Sequence, residues 1–189
     1  MKDNPVPHNH APKATASGSV SASRSGNMTH IRKATVEDAE ALCVIYNHYV
    51  LNTVITFEEE PVTASQMSQR IEEVTSSLPW LVCVRDDEIL GYAYAAKWRA
   101  RSAYRHSVES SVYLRHGIAR QRLGTSLYEA LLAELARGQV HAVMGGIALP
   151  NESSVALHEK FGFEKTAHFK QVGFKFGQWL DVGYWQLIL

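Results

Sequence analysis

The segment between residues 110 and 128 constrains the fold more than any other part of the chain, because a strand, a basic turn and a helix follow one another within it. Residues 112–114 form a β-prone run behind two serines. Arginines and a histidine fill the turn, and from Leu123 onward leucines recur at three- and four-residue spacing, which is typical of a helix. Gly124 stands at the helix start, where free N–H groups and a partial positive charge favour an anion. This arrangement predicts a site for a phosphorylated ligand.

A second strand and helix follow the first pair and predict a β-α-β-α-β unit. Residues 141–149 form an apolar strand that ends at Pro150. Asn151 is a suitable N-cap for a helix over 153–161, and Gly162 closes that helix.

The rest of the chain is expected to supply antiparallel strands and two helices. The expected elements are a first strand over 29–34, a helix over 35–50, a second helix opened by a capping box at Thr63 and ending near Thr75, a hairpin of 81–85 and 89–98, and a closing antiparallel pair of 163–172 and 181–189 separated by 173–180. Together these elements predict an α/β fold with a sheet of mixed direction. Residues 1–27 contain no aromatic residue and are expected to be a disordered N-terminal extension, with 28–189 as the folded domain.

Charge and cysteine usage exclude several classes of protein. The formal net charge is zero, which gives the whole molecule no attraction to nucleic acid. No apolar run reaches membrane-spanning length, and the N-terminal residues given contain no hydrophobic region of the kind found in secretory signals. Cys43 and Cys83 are interpreted as buried free thiols, and no cysteine–histidine spacing indicates a metal. We therefore expect a cytoplasmic protein that binds neither nucleic acid nor a membrane and holds no metal.

Four runs of sequence resemble those of the GNAT superfamily of N-acetyltransferases, and most closely its phosphinothricin N-acetyltransferases. They are W-R-A-R-S-A-Y at 98–104, E-S-S-V-Y at 109–113, L-P-N-E-S-S-V-A-L-H-E-K-F-G-F at 149–163 and V-G-F-K-F-G-Q-W-L-D-V-G-Y-W-Q at 172–186. The resemblance covers about residues 31–189. It implies the GNAT fold, in which helices flank a central mixed, mostly antiparallel sheet. It also implies an enzyme that uses acetyl-CoA without a metal, a small amino acid as acceptor and a homodimer.

The resemblance implies an acetyl-CoA site along the 112–125 segment and at the start of the last helix. Backbone amides of the strand are expected to bind the thioester carbonyl and the pantetheine arm, and amides of the turn to bind the pyrophosphate. The implied cofactor-binding residues are Val112, Tyr113, Leu114, Arg120, Gln121, Arg122, Leu123, Gly124, Thr125, Asn151 and Ser153. The family pattern has Gln or Arg, two residues, Gly, one residue, then Gly or Ala; here Ala119 and Arg122 take the leading and first-glycine positions. Arg122 either crowds the phosphate or donates to it, and Arg120 is a candidate replacement for the leading side chain.

Two arginines after the hairpin are candidates for binding an anionic acceptor. Arg99 and Arg101 are two positions apart, so an extended segment points both to one side, where they can hold a carboxylate or phosphinate. The alternative is a solvated basic loop, but related enzymes use this loop to hold an anionic amino acid, and on this resemblance Arg101 and Tyr104 are the preferred pair. By the same resemblance, the segment between the first two helices covers the acceptor site, so Thr56 and Phe57 are possible contacts. The alternative for Phe57 is packing of this loop onto the core.

Glu109 is the candidate general base, since a carboxylate beside the acceptor can take the proton of its ammonium group. It is the only acid between Glu88 and Glu129 and stands in a strand, where Glu is disfavoured. The alternative is a surface charge on an edge strand.

His158 is the second candidate, because the matching segment of phosphinothricin acetyltransferases carries a histidine implicated at the active site. An imidazole can act as base or as acid for the leaving thiolate. Its alternative is an ordinary surface-helix histidine.

The function that follows is acetylation of a small glutamate-like amino acid, such as phosphinothricin or methionine sulfoximine, which would detoxify an antimetabolite. No residue resembles a covalent nucleophile, which favours direct attack of the amine on acetyl-CoA. Acetylation of another amino acid or a peptide amine is the alternative within the class. The alternative outside it is a non-catalytic acetyl-CoA-binding module. The joint presence of Glu109, Arg101, Tyr104 and His158 argues against this alternative.

The aromatic C-terminal segment suits a dimer interface, a wall of the site or core packing. It contains Phe174, Phe176, Trp179, Tyr184 and Trp185.

Overall fold

The computed structural model of the protein describes residues 29–118 and 122–189, together with Met1. The remainder of the expected N-terminal extension lies outside the described residues, as do Ala119, Arg120 and Gln121 of the expected cofactor turn. The strands are β1 (His30–Lys33), β2 (Trp80–Arg85), β3 (Glu88–Lys97), β4 (Ser107–Leu114), β5 (Ala142–Leu149), β6 (Glu164–Lys175) and β7 (Gln178–Ile188). The helices are α1 (Ala39–Asn52), α2 (Ala64–Thr75), α3 (Leu123–Ala136) and α4 (Glu152–Lys160), and a 3₁₀ turn, Val36–Asp38, precedes α1.

The described strands form one sheet in the order β1-β2-β3-β4-β5-β7-β6. The β4–β5 pair is parallel, and every other neighbouring pair is antiparallel. Helices α1 and α2 pack on one face around Trp80 and Tyr92. On the other face, α3 buries Leu127 and Leu131 completely, and α4 packs against the same cluster. The expected α/β fold, with helices flanking a mixed and mostly antiparallel sheet, is confirmed.

Local sequence signals explain several element boundaries. The Thr63 hydroxyl accepts from the Gln66 N–H at 3.3 Å, and the Gln66 side chain accepts from the Thr63 N–H at 2.9 Å, which is the expected capping box of α2. Asp86 and Asp87 join β2 to β3 with φ angles of 49° and 63°, as a two-residue hairpin turn requires. Among the described helices, none combines the length and hydropathy needed to cross a membrane.

The C-terminal hairpin is longer than expected. β6 and β7 extend toward each other until only Phe176 and Gly177 separate them, with φ angles of 51° and 75°. The expectation that residues 173–180 connect two shorter strands is therefore wrong. Gly173 does not end β6, because it pairs with Leu180 across the hairpin, and the turn is made by the next glycine instead.

The two parallel strands at the centre of the sheet separate after a short paired stretch. Pairing of β4 with β5 covers only residues 107–109 opposite 142–144. Both strands continue beyond it, β4 to Leu114 and β5 to Leu149. One side of the second half of β4 is therefore left without a partner strand, and the helices that follow β4 and β5 begin beside this gap.

Candidate active site

A groove of ≈ 320 Å³ lies where the ends of β4 and β5 separate. Its walls come from α1, the loop after α1, the end of β4, the N-terminus of α3 and the N-terminal half of α4. The lining residues are Tyr49, Ile55, Val112, Leu114, Ile118, Arg122, Leu123, Gly124, Thr125, Asn151, Ser153, Ser154 and Leu157. Every expected cofactor contact that the structure describes lines this groove, except Tyr113.

The backbone of β4 explains why Tyr113 is the exception. Arg115 donates its N–H to the Leu90 carbonyl of β3 at 2.8 Å, and amides two residues apart in a strand point the same way. The Tyr113 amide therefore faces β3, whereas the Val112 and Leu114 amides face the groove. The Tyr113 ring lies on the opposite face of the sheet, with ring centroids 5.1, 5.2 and 5.4 Å from those of Tyr46, Tyr49 and Tyr92.

Arg122 occupies the N-cap of α3 in the left-handed region, with φ of 58° and ψ of 10°. This backbone conformation costs a residue with a side chain about 1–2 kcal/mol, whereas glycine adopts it freely. The geometry thus explains why the family pattern has a glycine at this position. Arg122 also lines the groove. The residue with the strained backbone is therefore also the cation at the expected pyrophosphate position.

Asn151 caps α4 as expected. Its Oδ1 accepts from the Ser154 N–H at 3.1 Å and from the Ser153 hydroxyl at 3.0 Å. Because the oxygen serves the helix start, the –NH₂ group is the part of Asn151 that can donate to a ligand in the groove.

Glu109 stands at the last paired position of β4, where the parallel strands begin to separate, and lies opposite Ala96 of β3. Gly146 of β5 provides space for the carboxylate. A Cβ built at Gly146 would lie 2.6 Å from Glu109 Oε1 and 3.0 Å from the Tyr184 ring. Burial raises the pKa of Glu109, and the charge of Arg99 opposes this rise. The alternative of an edge-strand charge is wrong, because β4 lies between β3 and β5.

Tyr184 and Arg99 lie near Glu109, and further aromatic side chains pack against these two residues. The rings of Trp98 and Tyr184 meet edge to face with centroids 5.2 Å apart, and Phe169 contacts Tyr184 at 5.8 Å. The Arg99 guanidinium lies 4.6 Å from the centre of the Trp98 ring, which is a cation–π contact. Gly146 was missed as a site residue in the sequence, and Tyr184 was named only as one of several aromatic residues that suit a wall of the site, because nothing in their spacing from Glu109 indicates that β5 and β7 bring them to it.

Arg101 and Tyr104 lie farther out on the same loop. Arg101 is the N-cap of a 3₁₀ turn, Ser102–Tyr104, and both side chains are exposed. Among the described cations, Arg99 is the one whose charge reaches Glu109. No group of three or more His, Cys, Asp or Glu side chains in the described ranges could hold a metal ion.

The loop between α1 and α2 packs on β6 beside this site. Phe57 covers Gly173, where a Cβ would collide with the Phe57 ring. Part of the Phe57 ring therefore packs the loop onto the sheet, as the alternative interpretation of this residue expects. Phe57 as a whole is still 41% exposed, so its exposed part can contact an acceptor. Lys175 of β6 is only 1% exposed, and its Nζ donates to the Thr56 carbonyl at 2.8 Å. The Thr56 hydroxyl in turn shares a 2.8 Å hydrogen bond with the Tyr46 hydroxyl.

Replacing Lys175 with methionine is expected to speed hydrogen exchange of the loop amides at 53–60 by about fivefold, because one hydrogen bond of about 1 kcal/mol no longer holds the loop. Exchange monitored by mass spectrometry measures this directly. Lys170→Met, an exposed lysine of the same strand, is the matched control and should leave the loop unchanged. Equal exchange in both variants would show that Lys175 does not hold the loop.

His158 is buried rather than on the helix surface, with 4% of its area exposed. Its Nδ1 lies 2.8 Å from the Ser154 carbonyl, which can only accept, so Nδ1 carries the proton. Its Nε2 has no hydrogen-bond partner among the described residues and packs on Gly145 of β5, where a Cβ would collide with the ring. Burial lowers the pKa of His158. A direct acid–base role stays a prediction, and this packing favours a role in holding α4 against β5.

Comparison with known proteins agrees with this geometry. Residues 31–183 match the family model described as acetyltransferase (GNAT) domain. The chain is 40% identical over 156 residues to a phosphinothricin N-acetyltransferase of Streptomyces viridochromogenes, which covers 82% of this chain and 85% of that protein. It is 36% identical over 160 residues to an L-methionine sulfoximine/L-methionine sulfone acetyltransferase of Salmonella typhimurium, covering 84% and 94%.

Solved structures of GNAT acetyltransferases also match this chain. The crystal structure of a GNAT superfamily phosphinothricin acetyltransferase from Sinorhizobium meliloti in complex with AcCoA matches with a TM-score of 0.82 at 34% identity, covering 85% of this chain and 88% of that one. The described fold, the groove between the separated strands and the sequence matches agree with one another. The chain belongs to the GNAT family of acetyltransferases.

Proposed function

We propose that the protein transfers the acetyl group of acetyl-CoA to the amino group of a small amino acid, and that its acceptors are antimetabolites such as phosphinothricin or methionine sulfoximine. The observation that carries this proposal is the position of Glu109, at the point where β4 and β5 separate, next to Arg99 and Tyr184. A base in this position lies between a groove for the donor and an aromatic, cationic wall for the acceptor. The curated relatives named for these two substrates support the acceptor class.

The groove residues fit acetyl-CoA, which supplies a thioester carbonyl activated for attack. The Val112 and Leu114 amides can donate to that carbonyl and to the pantetheine arm, because they have no partner strand on that side. The N-terminus of α3 and Arg122 can hold the pyrophosphate, and the Asn151 –NH₂ group can donate to the pantetheine amides.

Glu109 takes the proton of the substrate ammonium group, directly or through a water molecule, and so frees the nitrogen lone pair. Arg99 holds the α-carboxylate and fixes the amine beside Glu109. The amine then attacks directly: a C–N bond forms, the C–S bond breaks, the nitrogen releases its second proton to solvent, and the leaving thiolate takes up a proton from solvent. Direct attack is supported by the two cysteines, since Cys43 in α1 and Cys83 in β2 are buried and burial raises the pKa of both thiols. Free thiols also fit a reducing compartment, and we place the reaction in the cytoplasm.

The test follows thiol release from acetyl-CoA with phosphinothricin, methionine sulfoximine, methionine sulfone, the common amino acids and a short peptide. Turnover with the antimetabolites and not with the peptide is the expected result. Turnover with the peptide alone would replace the proposed acceptor. Tight acetyl-CoA binding without turnover of any amine would favour the non-catalytic module.

Replacing Arg99 with glutamine is expected to move the acidic limb of the kcat/KM profile to higher pH. The charge of Arg99 lowers the pKa of Glu109, so its removal raises that pKa further. Because the base acts only when deprotonated, activity then appears at higher pH than in the wild type. Arg101→Gln on the same loop is the matched control and should shift the limb less. A shift to lower pH in Arg99→Gln would contradict the proposed contact.

We also propose that the protein is a homodimer in which the tip of the C-terminal hairpin forms the contact. The structure separates the aromatic residues of this segment, since Trp185 is buried and Tyr184 stands beside Glu109. Phe174 and Trp179 are exposed and pair across the hairpin with ring centroids 4.9 Å apart. Such an exposed apolar patch is typical of an interface.

The Trp179→Lys variant is expected to be a monomer, because a lysine in the centre of an apolar contact loses its hydration. Light scattering during size-exclusion chromatography measures the mass. Val44→Lys, at an exposed apolar position on α1, is the control that should keep the wild-type mass. A wild-type protein with the mass of one chain would contradict the dimer outright.

A further inference from the structure

The second half of β4 runs along the cofactor groove without a partner strand on one side. Pairing with β5 ends at Glu109, opposite Met144, and β4 continues to Leu114. Since the Arg115 amide bonds to β3, residues 110, 112 and 114 direct their backbone N–H and C=O groups toward the gap. These groups include the amides that we assign to acetyl-CoA. We call residues 110–114 the open edge of β4.

The open edge needs contacts other than those of a sheet to keep its position. Neighbouring strands elsewhere in the described sheet fix one another by exchanging backbone hydrogen bonds. On the side of the gap the open edge lacks such a neighbour, and the Val112 and Leu114 amides have to remain available to the cofactor. Contacts that hold the open edge therefore have to come from side chains and to leave these two amides unoccupied.

Where the open edge begins, a tyrosine of α3 acts on it through a serine. The Ser110 hydroxyl donates to the Met144 carbonyl of β5 at 3.2 Å. A hydroxyl has one proton, so the 2.7 Å hydrogen bond between Ser110 and Tyr128 is donated by the Tyr128 hydroxyl. Ser110 is 5% exposed and Tyr128 is fully buried. These two hydrogen bonds connect β4, β5 and α3 at the point where the strands separate.

Where the open edge ends, a tyrosine of α1 binds its backbone. The Tyr49 hydroxyl donates to the Leu114 carbonyl at 2.6 Å. This carbonyl faces the gap, beyond the stretch in which β5 pairs with β4, and the hydroxyl leaves the Leu114 N–H to the cofactor. Burial raises the pKa of Tyr49 and that of Tyr128, so both hydroxyls keep their protons at neutral pH and act as donors.

We propose that Tyr49 and Tyr128 are positioning residues for acetyl-CoA, whose hydroxyls hold the two ends of the open edge in place of a partner strand. With both ends fixed, the amides between them keep the spacing and direction that the thioester carbonyl and the pantetheine arm require. Tyr128 acts through Ser110 and does not line the groove, whereas Tyr49 lines it. The inference rests on the proposed function only in taking the groove as the acetyl-CoA site.

Calorimetric titration of CoA, without an acceptor, into the wild type and into phenylalanine variants measures the effect. Tyr49→Phe and Tyr128→Phe each keep the ring and lose one hydrogen bond, so each should weaken CoA binding about two- to tenfold. Tyr46→Phe is the matched control, because it removes a hydrogen-bonded hydroxyl from the same helix as Tyr49. That hydroxyl contacts Thr56 and Glu58 rather than β4, so the variant should bind CoA as the wild type does.

A double-mutant cycle tests whether Tyr128 acts through Ser110. Ser110→Ala should weaken CoA binding at least as much as Tyr128→Phe, because it also removes the contact with Met144. Adding Tyr128→Phe to Ser110→Ala should then change the affinity little further. Adding Tyr128→Phe to Tyr49→Phe should instead multiply the two effects, because the two hydroxyls hold opposite ends of the open edge.

Steady-state kinetics separate positioning of the cofactor from a general loss of structure. Tyr49→Phe should raise the KM for acetyl-CoA more than it lowers kcat, since the contact that it removes lies at the end of the open edge away from the proposed base. Tyr128→Phe should lower kcat as well, because Ser110 is next to Glu109 in β4.

The outcomes for this inference and for the proposed function are distinct. Wild-type CoA affinity in either Tyr49→Phe or Tyr128→Phe would overturn the inference. An equal loss of affinity in Tyr46→Phe would also overturn it, since the effect would then not depend on contacts with β4. Absence of turnover with every amino acid would overturn the proposed function alone, because CoA binding is measured without an acceptor.

Discussion

Glutamine in place of Glu109 is expected to lower kcat/KM for the acceptor amino acid by about 10²–10⁴-fold at neutral pH, the usual contribution of a general base. The amide keeps the shape that fits between Gly146 and Tyr184 but cannot take a proton. Because the substrate amine loses its proton unaided at high pH, the deficit should shrink as the pH approaches the pKa of that amine. Steady-state thiol release measured across the pH range shows both the size of the deficit and its pH dependence.

Two controls distinguish loss of the base from loss of structure. Glu164→Gln, at an exposed position of β6, makes the same chemical change far from the groove and should retain wild-type activity. Affinity for acetyl-CoA should be the same in Glu109→Gln and the wild type, because Glu109 does not line the cofactor groove. A Glu109→Gln enzyme with wild-type kcat/KM, or a deficit that is constant across the pH range, would exclude Glu109 as the base.

Features set by neighbouring residues were predictable from the sequence. The Thr63 capping box, the turn at Asp86 and Asp87, and the Asn151 N-cap each depend on side chains within three residues of the backbone they serve. The groove lining was predictable for a related reason. Except for Tyr49 and Ile55, it lies on two strand–turn–helix segments, each of which is recognisable without the rest of the chain.

Features set by distant parts of the chain were not predictable. Gly146 and Tyr184 reach Glu109 only through the pairing of β5 with β7, which no local pattern encodes. The burial of His158 depends on contact between α4 and β5, so its polar identity indicated a surface or a catalytic role instead. Trp80 belongs to an apolar strand in the sequence, and only the folded structure shows that its N–H lacks an acceptor among the described residues.

Arg122→Gly is expected to have two opposite effects. The free energy of unfolding should increase by about 1 kcal/mol, because glycine adopts the left-handed conformation at the start of α3 without strain but loses more chain entropy on folding. The KM for acetyl-CoA should nevertheless rise by about 10–100-fold, the usual worth of a hydrogen bond between an arginine and a phosphate. Urea denaturation measures the first effect and initial rates at varied acetyl-CoA measure the second.

Arg122→Ala separates the two causes, because alanine removes the cation and keeps the strained backbone. It should raise the KM for acetyl-CoA as much as Arg122→Gly does, without the gain in stability. Added salt should also raise the KM of the wild type more than that of either variant, since the lost contact is electrostatic. A lower KM in Arg122→Gly would instead mean that the arginine crowds the phosphate. In that case the strained backbone at Arg122 would have no compensating contact with the cofactor, and the family glycine would be the better residue for both folding and binding.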